Sequence, residues 1–157
     1  MRKKIINPAQ ATAELSDSDW LNIENLAEIE ITSEDTAFPI ESALLAGNSS
    51  GWRAAKPGEQ TIRLVFDDPQ TIKKIRLQFE EKQLERTQEY VLRWSADGGK
   101  SFNEIVRQQW NFSPAGATDE IQELQVELAS MNVLELTIIP DISGGSALAS
   151  LSSLRLA

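Results

Sequence analysis

An all-β fold, an antiparallel β-sandwich in jelly-roll form, is the class this sequence predicts, and three observations predict it. From about residue 60 onward, apolar and polar residues alternate with period two, the mark of strands with one buried face. Clusters of Gly, Pro, Asp, Asn and Ser separate these runs at short intervals. Helical signal is confined to Pro39–Leu45, where an early Pro suits a turn or two of helix. Strands buried on one face need a second layer to cover them, so the expected form is two facing sheets.

Residues 1–20 show no clear periodicity and are expected to form an extended N-terminal arm, leaving 21–157 as one domain. In Thr61–Phe66, Ile62, Leu64 and Phe66 point one way, and Asp67-Asp68-Pro69-Gln70 then reads as a turn. Ile72–Phe79 places Ile75, Leu77 and Phe79 inward, with Lys74, Arg76 and Gln78 outward. Thr87–Ser95 repeats the pattern with Tyr90, Leu92 and Trp94 inward. Ala96-Asp97-Gly98-Gly99 supplies a hairpin, and Ser101–Arg107 is the returning strand. Ile121–Leu128, Val133–Ile139 and Leu151–Leu156 complete the strands.

Composition narrows the function. A chain of 157 residues with 41% hydrophobic and 25% charged residues fits one globular unit. Its net charge of -9 disfavours phosphate backbones and anionic membranes, so neither nucleic acid nor membrane is an expected partner. With no Cys, disulfides and thiolate metal sites are excluded; with no His, so is Ser-His or Cys-His catalysis. Glu34 and Asp35 are adjacent, so on a strand they face opposite ways and do not flank one bond. The chain is therefore expected to be a binding module rather than an enzyme, with no cofactor. Asn7, Pro8, Gln10 and Glu14 interrupt the segment that would serve as a signal-peptide core, and a cytoplasmic location is the default expectation.

Four segments together resemble the discoidin, or coagulation-factor type C, family and its galactose-binding-domain-like relatives. They are Ile31–Asp35 with Ser42–Asn48 and Gly51-Trp52-Arg53; Gln60–Phe66 with Pro69-Gln70-Thr71-Ile72; Tyr90–Phe102, containing Ser95-Ala96-Asp97-Gly98; and Ala149–Leu156. The resemblance implies a jelly roll that binds ligands through loops at one end, carbohydrate in many members. It also implies two departures. Members with a structural calcium site often have an acidic residue where Ala46 stands and another in the last strand, which here has none, so no metal is expected. Sugar-binding members tend to place a His where Arg53 stands and an Arg where Glu80 and Glu81 stand.

The candidate ligand-binding residues are Glu34, Trp52, Arg53, Arg86, Gln109, Trp110, Asn111 and Phe112. Trp52 with Arg53 pairs a stacking face with a directional donor, although a Trp at this place also suits a core plug. Gln108–Phe112 mixes amides and aromatics in what reads as a loop after a strand, suited to neutral polar ligands or to a protein partner. Arg86 is the anchor if the charged stretch Glu85–Glu89 binds anything, and Glu34 lines a loop. The expected function is a module for carbohydrate or a similar small polar ligand. The alternative is a protein-interaction domain, with a homo-oligomer as one form.

Overall fold

The computed structural model describes residues 20–45 and 50–157, so the expected arm up to residue 19 and the loop residues 46–49 lie outside the described residues. The elements in order are α1 (Ile23–Leu26), β1 (Ala27–Ile31), α2 (Glu41–Leu44), β2 (Trp52–Arg53), β3 (Gln60–Glu80), β4 (Arg86–Ser95), β5 (Asn103–Phe112), β6 (Asp119–Ile139), β7 (Ser150–Leu151) and β8 (Ser153–Leu156).

Two 21-residue strands, β3 and β6, build both layers. The first half of β3 and the second half of β6 lie in a sheet of order β1-β3-β6-β4-β5. Their other halves pair again beyond a bend, where β8 joins β3. The fold is thus a jelly roll whose hydrogen-bonded ladder runs on from one layer into the other. At the bends the sequence reading is corrected. Asp67–Gln70 does not reverse the chain but forms a corner within β3, where the register against β6 shifts between Val65 and Gln70. Pro69 lacks an N–H to give and is tolerated where the ladder is interrupted. The corresponding corner in β6 holds Ser130 at φ 56.

The inward residues read from the alternation close one core. Ile62, Leu64, Ile75, Leu77, Phe79, Tyr90 and Leu92 are all buried, and the Phe79 and Tyr90 rings meet across the layers with centroids 5.0 Å apart. On the outer face, register places Glu30, Arg63, Glu135, Arg93 and Glu104 side by side on five successive strands, alternating in sign. The Arg63–Glu135 pair in that row closes to 2.7 Å.

The β4–β5 hairpin shows what the Ser-x-Asp-Gly motif is for. Asp97 accepts from the Ser95 and Ser101 hydroxyls at 2.6 and 2.5 Å, and the Gly99 N–H donates to Ser95 Oγ at 2.9 Å. Hydrogen bonds from Ser101 first, and then Ser95, hold the Asp97 carboxyl below the usual range. The strand after this hairpin is longer than expected. Gln108–Phe112 is the second half of β5, paired with β4, not a loop following it.

A groove at one end of the sandwich

Two short strands at one end bring distant segments together. β2 pairs with β7, setting Trp52 opposite Leu151 and Arg53 opposite Ser150. The approach is close enough that a Cβ on Gly51, which sits at φ +72, would lie 2.7 Å from the Leu151 carbonyl oxygen, so only glycine fits there. The loop Ser33–Ile40 then wraps Arg53: the Asp35 N–H donates to the Arg53 carbonyl at 2.8 Å, and the Arg53 N–H to the Phe38 carbonyl at 3.1 Å. Glu34 Oε1 accepts from the Ile40 N–H at 2.7 Å and fixes the turn that carries Phe38.

The result is a groove made of two adjoining hollows of about 100 and 190 Å³, which share Arg53, Glu80 and Ser150. One is lined by Phe38, Ser50, Trp52 and Ser152, the other by Glu81, Gln83, Leu84, Ser146 and Leu148. Hydroxyls, an amide and two signs of charge therefore face a space whose walls are mostly polar, a mixture suited to a polar ligand of modest size. The Arg53 guanidinium lies over the Phe38 ring, 4.5 Å from its centroid.

The structure separates the residues expected to bind. Arg53 is exposed in the groove, with Glu34 behind it as a positioning residue. Trp52 is 1% exposed and its Nε1 donates to the Ser33 carbonyl at 3.1 Å, so it is a core plug beneath the groove and offers no stacking face. Phe112 is buried in the core, and Arg86 is buried against it, 4.8 Å above its ring. On β5, Gln109 and Asn111 are exposed, while Trp110 is half-buried beside Gln88. None of these three lines the groove. Phe38, Glu80, Gln83, Leu84, Ser146 and Ser150 were not among the expected residues; only Glu80 and Glu81 carried a signal, through the family's sugar-contacting place.

A chain of polar contacts joins the groove to the core. The Arg86 Nε donates to Glu81 Oε1 at 2.8 Å, and its Nη1 to the Pro140 carbonyl at 2.7 Å and to Gln88 Oε1 at 3.3 Å. Gln88 Nε2 in turn donates to Glu120 Oε1 at 3.4 Å. Burial pushes the Glu81 carboxyl up, but hydrogen bonds from Arg86 and its own loop outweigh this and leave it lowered. Glu120 has no such cation: burial pushes it up to about 7, with hydrogen bonds from Gln122 and Gln88 opposing. Tyr90, facing it, is raised by burial and by the Glu120 charge. Glu120 Oε2 and Tyr90 Oη are both buried without a hydrogen-bond partner.

The calcium site that the resemblance brings to mind does not fit the residues present. Ala46 and Gly47 lie outside the described residues. On the described side, Arg155 of β8 donates from Nη1 to the Ala43 carbonyl at 2.8 Å and from Nη2 to the Leu45 carbonyl at 2.9 Å. A guanidinium already supplies positive charge to these carbonyls, and β8 contributes no carboxylate. Among the described residues no cluster of acidic side chains is arranged to hold a metal ion. The melting temperature is expected to be the same in millimolar calcium and in chelator; calorimetric stabilisation by calcium would contradict this reading.

The fold is shared widely. CpGH89CBM32-5 from Clostridium perfringens, in complex with GalNAc-β-1,3-galactose, superposes with a TM-score of 0.64 at 18% identity, over 88% of this chain and 99% of that one. The family 32 carbohydrate-binding module of C. perfringens NanJ, in complex with galactose, gives 0.64 at 14% identity over 87% and 96%. Reduced XRCC1, solved bound to the DNA pol beta catalytic domain, gives 0.59 at 14% identity over 84% and 95%. No curated protein matches the chain in sequence. The model of the F5/8 type C domain matches residues 28–148, and with the jelly-roll topology and the hairpin described above, the chain belongs to the F5/8 type C, or discoidin, family.

Proposed function

We propose that this domain is a non-catalytic carbohydrate-binding module whose ligand seats in the groove shared by Arg53, Glu80 and Ser150. The observation that carries the reading is the position of this groove: Arg53, Glu80 and Glu81 stand where the family's sugar-binding members place their sugar-contacting side chains, and the structure gathers them around one hollow. Hydroxyls of Ser146 and Ser150 and the amide of Gln83 both donate and accept, as sugar hydroxyls require. Superposable modules from C. perfringens were solved with sugars bound, which supports the same reading.

Isothermal titration against a panel of neutral and acidic oligosaccharides tests it. Saturable binding is expected, weakened about fivefold by Ser150→Ala, the loss of one hydrogen bond. No saturable heat with any glycan, or an affinity unmoved by Ser150→Ala, refutes it.

A second reading rests on β5, a ten-residue strand that pairs with β4 on one edge and, among the described residues, with no strand on the other. A free edge of that length accepts a strand from another chain, although Glu104 and Arg107 on it guard against indiscriminate pairing. Light scattering decides: a mass that rises with concentration above one chain of 17.4 kDa, without glycan binding, favours this reading, with a second copy as the partner.

A further inference from the structure

We infer that the protonation state of Glu120, inside the sandwich, sets how firmly Arg86 holds Glu81 in the groove wall, so that protons regulate the site. The consequence for ligand affinity rests on the reading of the groove as a sugar site; the change in the wall itself does not. Two routes tie Glu120 to the groove. Along the backbone, Glu80 of the groove lining pairs with Asp119, and the Glu81 N–H donates to the Thr118 carbonyl at 2.8 Å. Through side chains, Gln88 donates from Nε2 to Glu120 Oε1 at 3.4 Å and accepts at Oε1 from Arg86 Nη1 at 3.3 Å, while Arg86 Nε donates to Glu81 Oε1 at 2.8 Å. Glu120 and Gln88 are both fully buried, so water does not screen this relay.

The proton decides how Arg86 is shared. The groups that face Glu120 are Tyr90 and Gln88 of β4, Gln122 of its own strand and, opposite it on β3, Phe79; none is a cation. Both bonds of the Gln88 amide are long, as suits a neutral Glu120, and Arg86 rests through its short bonds on Glu81 and the Pro140 carbonyl. Ionised, Glu120 makes the bond from Gln88 charge-assisted and shorter. The amide is polarised, its oxygen accepts more strongly from Arg86, and the buried negative charge adds its own attraction. Arg86 is then divided between two carboxylates, and Glu81 is held less firmly. A wall residue left loose must be ordered by the incoming ligand, which weakens binding. Burial holds Glu120 at about 7, so the exchange falls near neutrality, in a chain with no His to titrate there.

The first probe is the proton itself, with the Arg86 Nε–H resonance of the whole isotope-labelled chain followed by NMR across roughly pH 5.5 to 8.5, a range that brackets the Glu120 value. The resonance is expected to move with a midpoint of about 7 in the unaltered protein and to stay at its acid-side position in Glu120→Gln. A resonance that does not move in the unaltered protein, or that moves alike in Glu120→Gln, overturns the inference whatever the groove binds. The second probe is the neutral oligosaccharide that binds most tightly in the calorimetric panel. Its affinity is expected to fall about fivefold from the acid to the alkaline end of that range in the unaltered protein, and to hold at the tighter value in Glu120→Gln. A moving Arg86 resonance with an affinity that ignores pH overturns the regulation and leaves the sugar site standing. If no glycan binds, the sugar reading falls, while the Arg86 titration still decides whether Glu120 governs the wall.

Discussion

Arg86→Ala is expected to cost about 4 kcal/mol of folding stability, within the range for breaking a buried ion pair. The side chain is 1% exposed, and its removal strands three acceptors at once: Glu81 Oε1, Gln88 Oε1 and the Pro140 carbonyl. It also removes the cation from above Phe112. Each buried acceptor left without a donor carries its own desolvation penalty. With a typical total of about 5–15 kcal/mol to lose from, the variant should remain folded at low temperature but with little margin. In urea, the midpoint should fall by roughly 2 M with little change in slope. Arg86→Lys should recover only part of the loss, because an ammonium cannot serve Glu81, Gln88 and Pro140 together. A loss below about 1 kcal/mol would show that the pair behaves as an exposed one.

Glu120→Gln should stabilise the protein by an amount that grows as pH rises from 4.5 to about 7 and is full above 7. The Glu120 carboxyl is held at about 7 in the fold by burial against an ordinary value of 4.5. Between those values the folded chain keeps a proton that the unfolded chain has lost, so stability falls as pH rises from 4.5 to 7 and the penalty persists above 7. At 1.36 kcal/mol per unit the penalty is about 3 kcal/mol at most, and relaxation around the charge reduces it. The amide has the shape of the protonated acid and never ionises. The variant should therefore match the unaltered protein near pH 4.5 and exceed it by about 2 kcal/mol at pH 8. Parallel stability curves for the two proteins across this range would show that Glu120 does not titrate in the fold.

Sequence alternation revealed the strands because each has one face in the core and one in water: Ile75, Leu77 and Phe79 are buried while Arg76 and Gln78 are only partly so. It could not reveal the corners. Asp67-Asp68-Pro69-Gln70 has the chemistry of a turn, and the same residues also suit a bulged corner; which one forms depends on whether β6 continues alongside. Gln108–Phe112 was hidden for a related reason, since amides are poor evidence of a strand until pairing with β4 is known. Trp52 was ambiguous because β2 is two residues long and shows no alternation to give its direction. The groove was legible at Trp52 and Arg53 and, through the resemblance, at Glu80 and Glu81. Phe38, Leu84 and Ser146 come from segments far apart in the chain, and no local pattern marks residues that become neighbours only when β2 meets β7.

The corner strands carry a mechanical consequence. Because β3 and β6 are each written into both layers, neither sheet owns enough chain to detach while the other stays intact. Shear between the layers would have to uncoil two covalent spines at Asp67–Gln70 and around Ser130 before any interface residue separated. Such a body is expected to open as one cooperative unit, and Glu80, the last residue of β3, ties the edge of the groove to that unit.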